Sequence, residues 1–270
     1  MTKLIAMVLL LQLCGGARGA VPDSPRPGGI AVIPLGDSVA APAATFNDKP
    51  AMVIRENGEW LAVVGIPLEQ DVGRSTITIA GPDGGETREF EIRAHQYSEQ
   101  RLSVSRKYVD LSQEQLERVG AERRVIDAAL TNWRAQAPSG LELEAPVAGP
   151  RSSSFGLRRF FNEQPRAPHK GMDIAATSGT PIGAPAAGVV TATGEYYFNG
   201  NTVIVDHGQG FVSLYCHLAR IDVAEGQEVG VGDALGQVGA TGRVTGAHLH
   251  FATYLNGTAV DPALFLPAPE

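Results

Sequence analysis

Between Gly29 and about Leu102 the apolar positions fall in short runs separated by turn residues. Ala31 to Leu35 is one such run. Met52–Glu56 and Glu59–Ile66 flank Asn57-Gly58, a pair that accepts the positive φ of a two-residue hairpin turn. Thr76–Ala80 and Arg88–Arg93 flank Pro82-Asp83-Gly84-Gly85. In both segments apolar residues (Ile77, Ile79, Phe90, Ile92) alternate with polar ones, so one face of that hairpin meets water. About six strands in roughly seventy residues fit a small immunoglobulin-like β-sandwich. The spacing then changes to three and four: Leu116, Val119, Ile126, Leu130 and Trp133 make one stripe of a helix. Ser112 and Gln115 form a capping box, Asp110 adds negative charge near the helix start, and Pro138-Ser139-Gly140 ends it. Its polar face mixes Glu, Arg and Asp, which suits a connector packed between two domains better than a membrane-surface helix. From Leu141 onward glycine is dense and apolar runs again alternate with turns. Gly188–Ala192, Thr202–Val205, Phe211–Tyr215, Ala234–Val238 and Leu249–Leu255 are the expected strands, and Asn256-Gly257 turns the last into Thr258–Val260.

The pattern predicts a mainly β protein: an N-terminal β-sandwich over 21–102, a helical linker over 103–140 and a C-terminal antiparallel β-sheet domain over 141–270. A length of 270 residues fits two domains, and 32 Gly with 18 Pro suit strands joined by turns. The net charge of -7 leaves no basic excess to neutralise phosphates, which argues against nucleic acid as a partner. The first twenty residues read as an export signal. Lys3 is the positive start, Leu4 to Leu13 is an apolar run too short to span a bilayer, and small residues follow up to Ala20. Leu13 is too large for the position before an acylated cysteine, which argues against lipid attachment at Cys14. The expectation is an exported chain, periplasmic, envelope-associated or secreted, without a membrane span once the signal is removed. Only Cys14 and Cys216 are present, so the processed chain forms no internal disulfide and must be held by its core or by a metal.

Chemistry concentrates in the C-terminal domain. His248 and His250, two apart on a strand, share a face roughly 6–7 Å from each other. His169 and Asp173 are four apart and would lie roughly 13 Å from each other on a straight strand, so the segment must curl if both serve one ion; Gly171 between them permits it. His217 ends the apolar run Leu214-Tyr215-Cys216-His217. Two imidazoles and one carboxylate are a common zinc set that leaves a fourth position for water, and other imidazoles nearby can move protons. Spacing alone does not say which of His248 and His250 binds metal. Alternation turns Cys216 away from the face of His217, which makes it a small core residue. His207 reads as a turn residue, and His95 as a surface or packing residue at the edge of the first domain.

The C-terminal half resembles the lysostaphin-like, or LytM-type, zinc metalloendopeptidases of peptidoglycan. The likeness runs from about Pro146 to Phe265 through Ser154-Phe155-Gly156-Leu157-Arg158, His169-Lys170-Gly171-Met172-Asp173-Ile174-Ala175 and Gly179-Thr180-Pro181. It continues through Asn201 to Gly208, Leu214 to Leu218, Val231-Gly232-Asp233, Gly239-x-Thr241-Gly242 and Gly246-Ala247-His248-Leu249-His250-Phe251. The resemblance implies one zinc per chain held by His169, Asp173 and His250, with His217 and His248 as the catalytic pair that activates water and stabilises the tetrahedral intermediate. It implies peptidoglycan stem peptides as substrate and hydrolysis of their cross-links by a metal-activated water. Asn162 resembles a position beside the zinc in relatives before substrate enters, and Asn162 or the N-terminal sandwich could plug the groove. Some members lack ligands and activate amidases instead; the alternative is such a non-cleaving cell-wall-binding activator. All five key positions are intact here, which disfavours it.

Overall fold

The computed structural model describes residues 21–81, 85–102 and 111–268. The expected export signal over 1–20, the turn residues Pro82-Asp83-Gly84 and the start of the linker over 103–110, with Asp110, lie outside the described residues. No described helix is long and apolar enough to cross a membrane.

The N-terminal unit is two small sheets face to face. One has the order Ile30–Gly36, Glu59–Gly65, Met52–Glu56; the other runs Lys49–Pro50, Ala44–Phe46, Gly73–Ile79, Glu86–Ile92. Asn57 (φ 51) and Gly58 (φ 88) make the expected hairpin turn. Ile77 and Ile79 are buried while Thr76 and Thr78 face solvent, as alternation requires. The strands Ala44–Phe46 and Lys49–Pro50 went unread in the sequence because neither is long enough to show a period.

The first sheet is apolar on both faces. Ala31, Ile33, Val53, Ala62 and Val64 fill the sandwich, whereas Ile30, Met52 and Val63 join the core of the C-terminal domain with Phe211, Leu255, Val260 and Phe265. A Cβ on Gly65 would lie 2.8 Å from the Leu255 carbonyl oxygen, so the two backbones meet where only glycine fits. Gln209 Oε1 accepts from the Val53 amide at 2.8 Å, and Arg26 pairs with Asp261 at 3.1 Å. Fully burying an apolar side chain contributes about 1.5–3 kcal/mol, so this shared core holds the two units firmly together.

The helix spans Gln113–Leu130, with Ser112 and Gln115 in the reciprocal capping box that the sequence predicts. It stops earlier than expected. Thr131 caps its end, Asn132 Nδ2 and Arg134 Nε donate to the buried Asp206 carboxylate at 2.7 and 2.8 Å, and Trp133 lies over Gly210. Those tertiary bonds pull the chain out of the helix. The apolar stripe is only partly used: Ile126, Ala129 and Leu130 pack on Ala192, Ile204, Leu214, Cys216 and Ala252, whereas Leu116 is 52% exposed.

The C-terminal sheet runs Glu228–Val229, Gly188–Tyr196, Gly200–Gly208, Phe211–Ile221, Leu249–Leu255, Met172–Ile174, Arg151–Ser153, with every pairing antiparallel. Pro181–Gly183 and Ala234–Val238 pair beside it. A small fourth sheet joins Gln164–Pro165 and Arg158–Phe161 to Glu99–Leu102, and its Arg158–Phe161/Glu99–Leu102 pairing is parallel. The strand Glu99–Leu102 comes from the end of the N-terminal segment, so the chain leaving the sandwich is stitched to the approach of His169.

Candidate metal centre

Strand pairing places Asp173 and His250. Asp173 is opposite His250 in register, and residues opposite each other on antiparallel strands share a face. His250 is also opposite Cys216. Leu249 points the other way and is fully buried in the main core, which fixes the rotation of its two neighbours. His169 reaches the same point from the loop before Met172–Ile174. Its Nε2 is 3.2 Å from Asp173 Oδ1 and 3.0 Å from His250 Nδ1, and His250 Nδ1 is 2.9 Å from Asp173 Oδ1. The curl expected between His169 and Asp173 is present, but Gly171 is not in the left-handed region. It is glycine because a Cβ there would lie 2.6 Å from the His250 ring.

His217 arrives by a different route. Between Asn201 and Val203 the partner strand runs from Leu218 back to Tyr215, one residue too many, and His217 has φ 68. This β-bulge puts Cys216 and His217 on one side of the sheet, between Tyr215 and Leu218 on the other. Cys216 and His217 therefore share a face, contrary to the simple alternation that the sequence predicts. A regular strand would have buried His217 beside Tyr215, away from His250. With the bulge its ring centroid lies 4.9 Å from that of His248 and 6.0 Å from that of His250. Cys216 lies in the core under the helix, and burial pushes its thiol well above the usual range.

The hydrogen bonds orient each imidazole. His169 Nδ1–H donates to the Ser154 carbonyl at 2.9 Å, His217 Nδ1–H to the Thr241 carbonyl at 3.0 Å, and His248 Nδ1–H to the Gly246 carbonyl at 2.9 Å. Each bond assigns the proton to Nδ1 and leaves the Nε2 lone pair toward the centre. His248 Nε2 is 3.8 Å from Asp173 Oδ1. Ser154 and Thr241 stand in motifs that the sequence singles out, yet their carbonyl roles are invisible there because any residue supplies a carbonyl.

Burial would raise the Asp173 carboxyl, but the His169 and His250 rings packed against it outweigh that and hold it far below the usual range. His217 is lowered to about 4, first by burial and then by the charge of His250, so it is neutral at pH 7. Burial also lowers His250, against the hydrogen bond that Asp173 accepts from its ring. His169, Asp173 and His250 are the one group among the described residues whose donor atoms converge closely enough for a metal ion. Ligands about 2.0–2.2 Å from a tetrahedral ion lie roughly 3.4 Å apart, close to the separations seen, so the donor set fits a metal.

None of the other candidates is a member of that converging donor group. His207 is no turn residue: it lies in the strand Gly200–Gly208, nearly fully buried, donating from Nδ1 to the Ala187 carbonyl and accepting at Nε2 from Ser213 Oγ at 2.7 Å. Asn162 (φ 52) and Glu163 (φ 63) form the tip of the hairpin between Arg158–Phe161 and Gln164–Pro165. His95 is exposed beside Arg26. The body of the sandwich docks at Leu255, at the far end of the strand from His250.

Two family descriptions match the chain: Peptidase family M23 over residues 167–262 and Peptidase family M23 N-terminal domain over 23–95. The solved structure of a putative peptidase M23 from Pseudomonas aeruginosa superposes with a TM-score of 0.78 at 42% identity, covering 91% of this chain and 96% of that one. The DD-carboxypeptidase/endopeptidase Mpg of Neisseria meningitidis is 41% identical over 136 residues, 50% of this chain and 31% of the relative. The peptidoglycan DD-endopeptidase ShyA of Vibrio cholerae is 41% identical over 111 residues, 41% of this chain and 26% of the relative. The matched part is thus less than a third of the length of these curated relatives. With both of its units matched and a structural relative aligned over nearly its whole length, the chain belongs to peptidase family M23.

Proposed function

We propose that this chain is an exported zinc endopeptidase that hydrolyses the peptide cross-links of bacterial peptidoglycan in the cell envelope. The observation that carries this reading is the meeting of His169 Nε2, Asp173 Oδ1 and His250 Nδ1 at 2.9–3.2 Å, with the His217 and His248 rings beside them. Family membership and the activities named for the Neisseria and Vibrio relatives support the substrate, and the apolar run Leu4–Leu13 supports export. The unit from 141 onward is the catalytic one in this reading, with 21–102 and 103–140 as its accessory sandwich and linker.

His169, Asp173 and His250 would hold the ion. Zinc bound by two imidazoles and a carboxylate lowers the pKa of a coordinated water toward neutrality and polarises a carbonyl. His217, neutral at pH 7, offers Nε2 to take a proton from the attacking water. His248, whose ring lies 4.9 Å from that of His217, would serve the developing oxyanion and the leaving amine once its Nε2 carries a proton. Cys216 is no nucleophile, because burial keeps its thiol protonated. A cell-wall-binding activator that does not cut would have no use for the full set of five side chains.

Liquid chromatography with mass spectrometry of purified peptidoglycan, digested by the zinc-loaded protein, tests the proposal. Cross-linked dimers should fall and monomers rise, and a chelator should stop the change. A protein with one zinc per chain that leaves the dimers intact overturns it.

A further inference from the structure

Tyr97, two positions beyond the end of the matched N-terminal domain, packs against the segment that precedes His169. Its hydroxyl donates to the Pro27 carbonyl at 2.7 Å, which ties it to the sandwich. Its ring stands edge-on to His95 at 4.5 Å and to Phe155 at 6.0 Å. Gly156 lies directly on that ring: a Cβ there would be 2.1 Å from Tyr97 Cδ1. Gly28 closes the other side, where a Cβ would lie 2.5 Å from Phe155 and 2.7 Å from the Tyr97 hydroxyl. Phe155 is buried to 2% exposure. Gly28, Tyr97, Phe155 and Gly156 thus form one close-packed node, and burial pushes the Tyr97 phenol up to about 12.

The other side of the node is the loop that holds His169. The Gly156 amide donates to the His169 carbonyl at 2.8 Å, and the His169 amide donates to the Leu157 carbonyl at 3.1 Å. The Ser154 carbonyl accepts from His169 Nδ1. Every one of these three bonds goes to Ser154–Leu157, the segment that rests on Tyr97. Immediately after it the Arg158 amide donates to the Ser98 carbonyl, and Arg158–Phe161 pairs with Glu99–Leu102. Residues 97–102 therefore back the whole approach to His169.

We infer that Tyr97 is a positioning residue for the metal centre: its ring fixes Ser154–Leu157, which in turn aims His169 Nε2 at the ion. The N-terminal unit is then part of the metal site's framework, acting through His169 without touching metal or substrate. This rests on the metal reading of the site proposed above. Groups that orient a ligand typically account for about 10–100-fold in metal affinity.

The test uses the full chain with Tyr97→Ala, Tyr97→Leu and Tyr97→Phe. It measures zinc affinity by competition with a chromogenic chelator, the visible spectrum of the Co2+-loaded form, and folding of the metal-free form by circular dichroism. Tyr97→Ala should weaken zinc binding by about 10–100-fold and alter the Co2+ bands. If it does not fold, Tyr97→Leu carries the same expectation, since it fills volume but offers Gly156 no flat ring. Tyr97→Phe keeps the ring and should match the parent in affinity and spectrum. A folded Ala or Leu variant with the parent's affinity and Co2+ spectrum overturns the inference, as does a Phe variant as weak as the Ala one. A parent that binds no zinc removes the metal reading along with it, whereas a parent that binds zinc and cleaves nothing removes only the peptidase reading.

Discussion

The hairpin of Gly73–Ile79 with Glu86–Ile92 and the strand Phe211–Ile221 obey the same backbone rules and serve opposite ends. In the hairpin the register runs unbroken from Gly73 opposite Ile92 to Ile79 opposite Glu86. Each side chain lands where alternation sends it, and its fully buried residues, Ile77, Ile79 and Ile92, are apolar. Phe211–Ile221 breaks register against Gly200–Gly208, and the break carries His217 across to the face of His250 and Asp173. Its neighbourhood also buries Asp206, His207, Ser213 and Thr253. The regular hairpin supplies cohesion; the irregular strand adds His217 to the group that Asp173 and His250 form. A left-handed φ on a non-glycine residue costs about 1–3 kcal/mol and persists only where the surroundings hold it. At His217 the bonds from its amide to the Asn199 carbonyl and from its ring to the Thr241 carbonyl do so.

The contrast can be broken from the irregular side first. His169→Ala removes one of three converging donors, and metal analysis of the purified variant should find well under one zinc per chain; full occupancy would refute the ligand assignment. Asp206→Ala comes next. That carboxylate is fully buried and accepts from Asn132, Arg134 and the Gly208 amide at 2.7–2.8 Å. Stranding its partners should cost about 3–5 kcal/mol in urea denaturation, and a loss below 1 kcal/mol would mean that water replaces it freely.

His207 gives a smaller, pH-dependent effect. Burial lowers its pKa from the ordinary 6.5. A histidine kept neutral in the fold stabilises fully above 6.5, and that contribution is lost as pH falls below it, by at most about 1.4 kcal/mol per pH unit. The melting temperature of His207→Gln should therefore fall less steeply than the parent's between pH 7 and pH 5; equal slopes would exclude a buried neutral His207. The regular side should respond least. Ile77→Val in the sandwich should cost about 0.5–1.5 kcal/mol and leave zinc affinity unchanged.

The same contrast explains what the sequence discloses. Asn57-Gly58, the Ser112–Gln115 capping box and the Ile77/Ile79 alternation are local, and each stands in the structure as the sequence predicts. The five site residues are legible as a set because their motifs are distinctive, and the fold brings all five together. Their geometry is less legible. The bulge at His217 depends on a register choice between two strands, and the need for glycine at 171 comes from a ring 79 residues away in the chain. The helix end at Leu130 is decided by Asp206, and the role of Tyr97 by Gly156; neither partner is near in sequence.

The central claim is that the bulge delivers His217 to the metal group as a proton-handling neighbour and not as a ligand. Metal content and peptidoglycan digestion measured together on His217→Ala test it most directly. The account predicts one zinc per chain, as in the parent, with cross-link cleavage reduced by about 10²–10⁴-fold. Loss of zinc from that variant, or cleavage at the parent's rate, would contradict it.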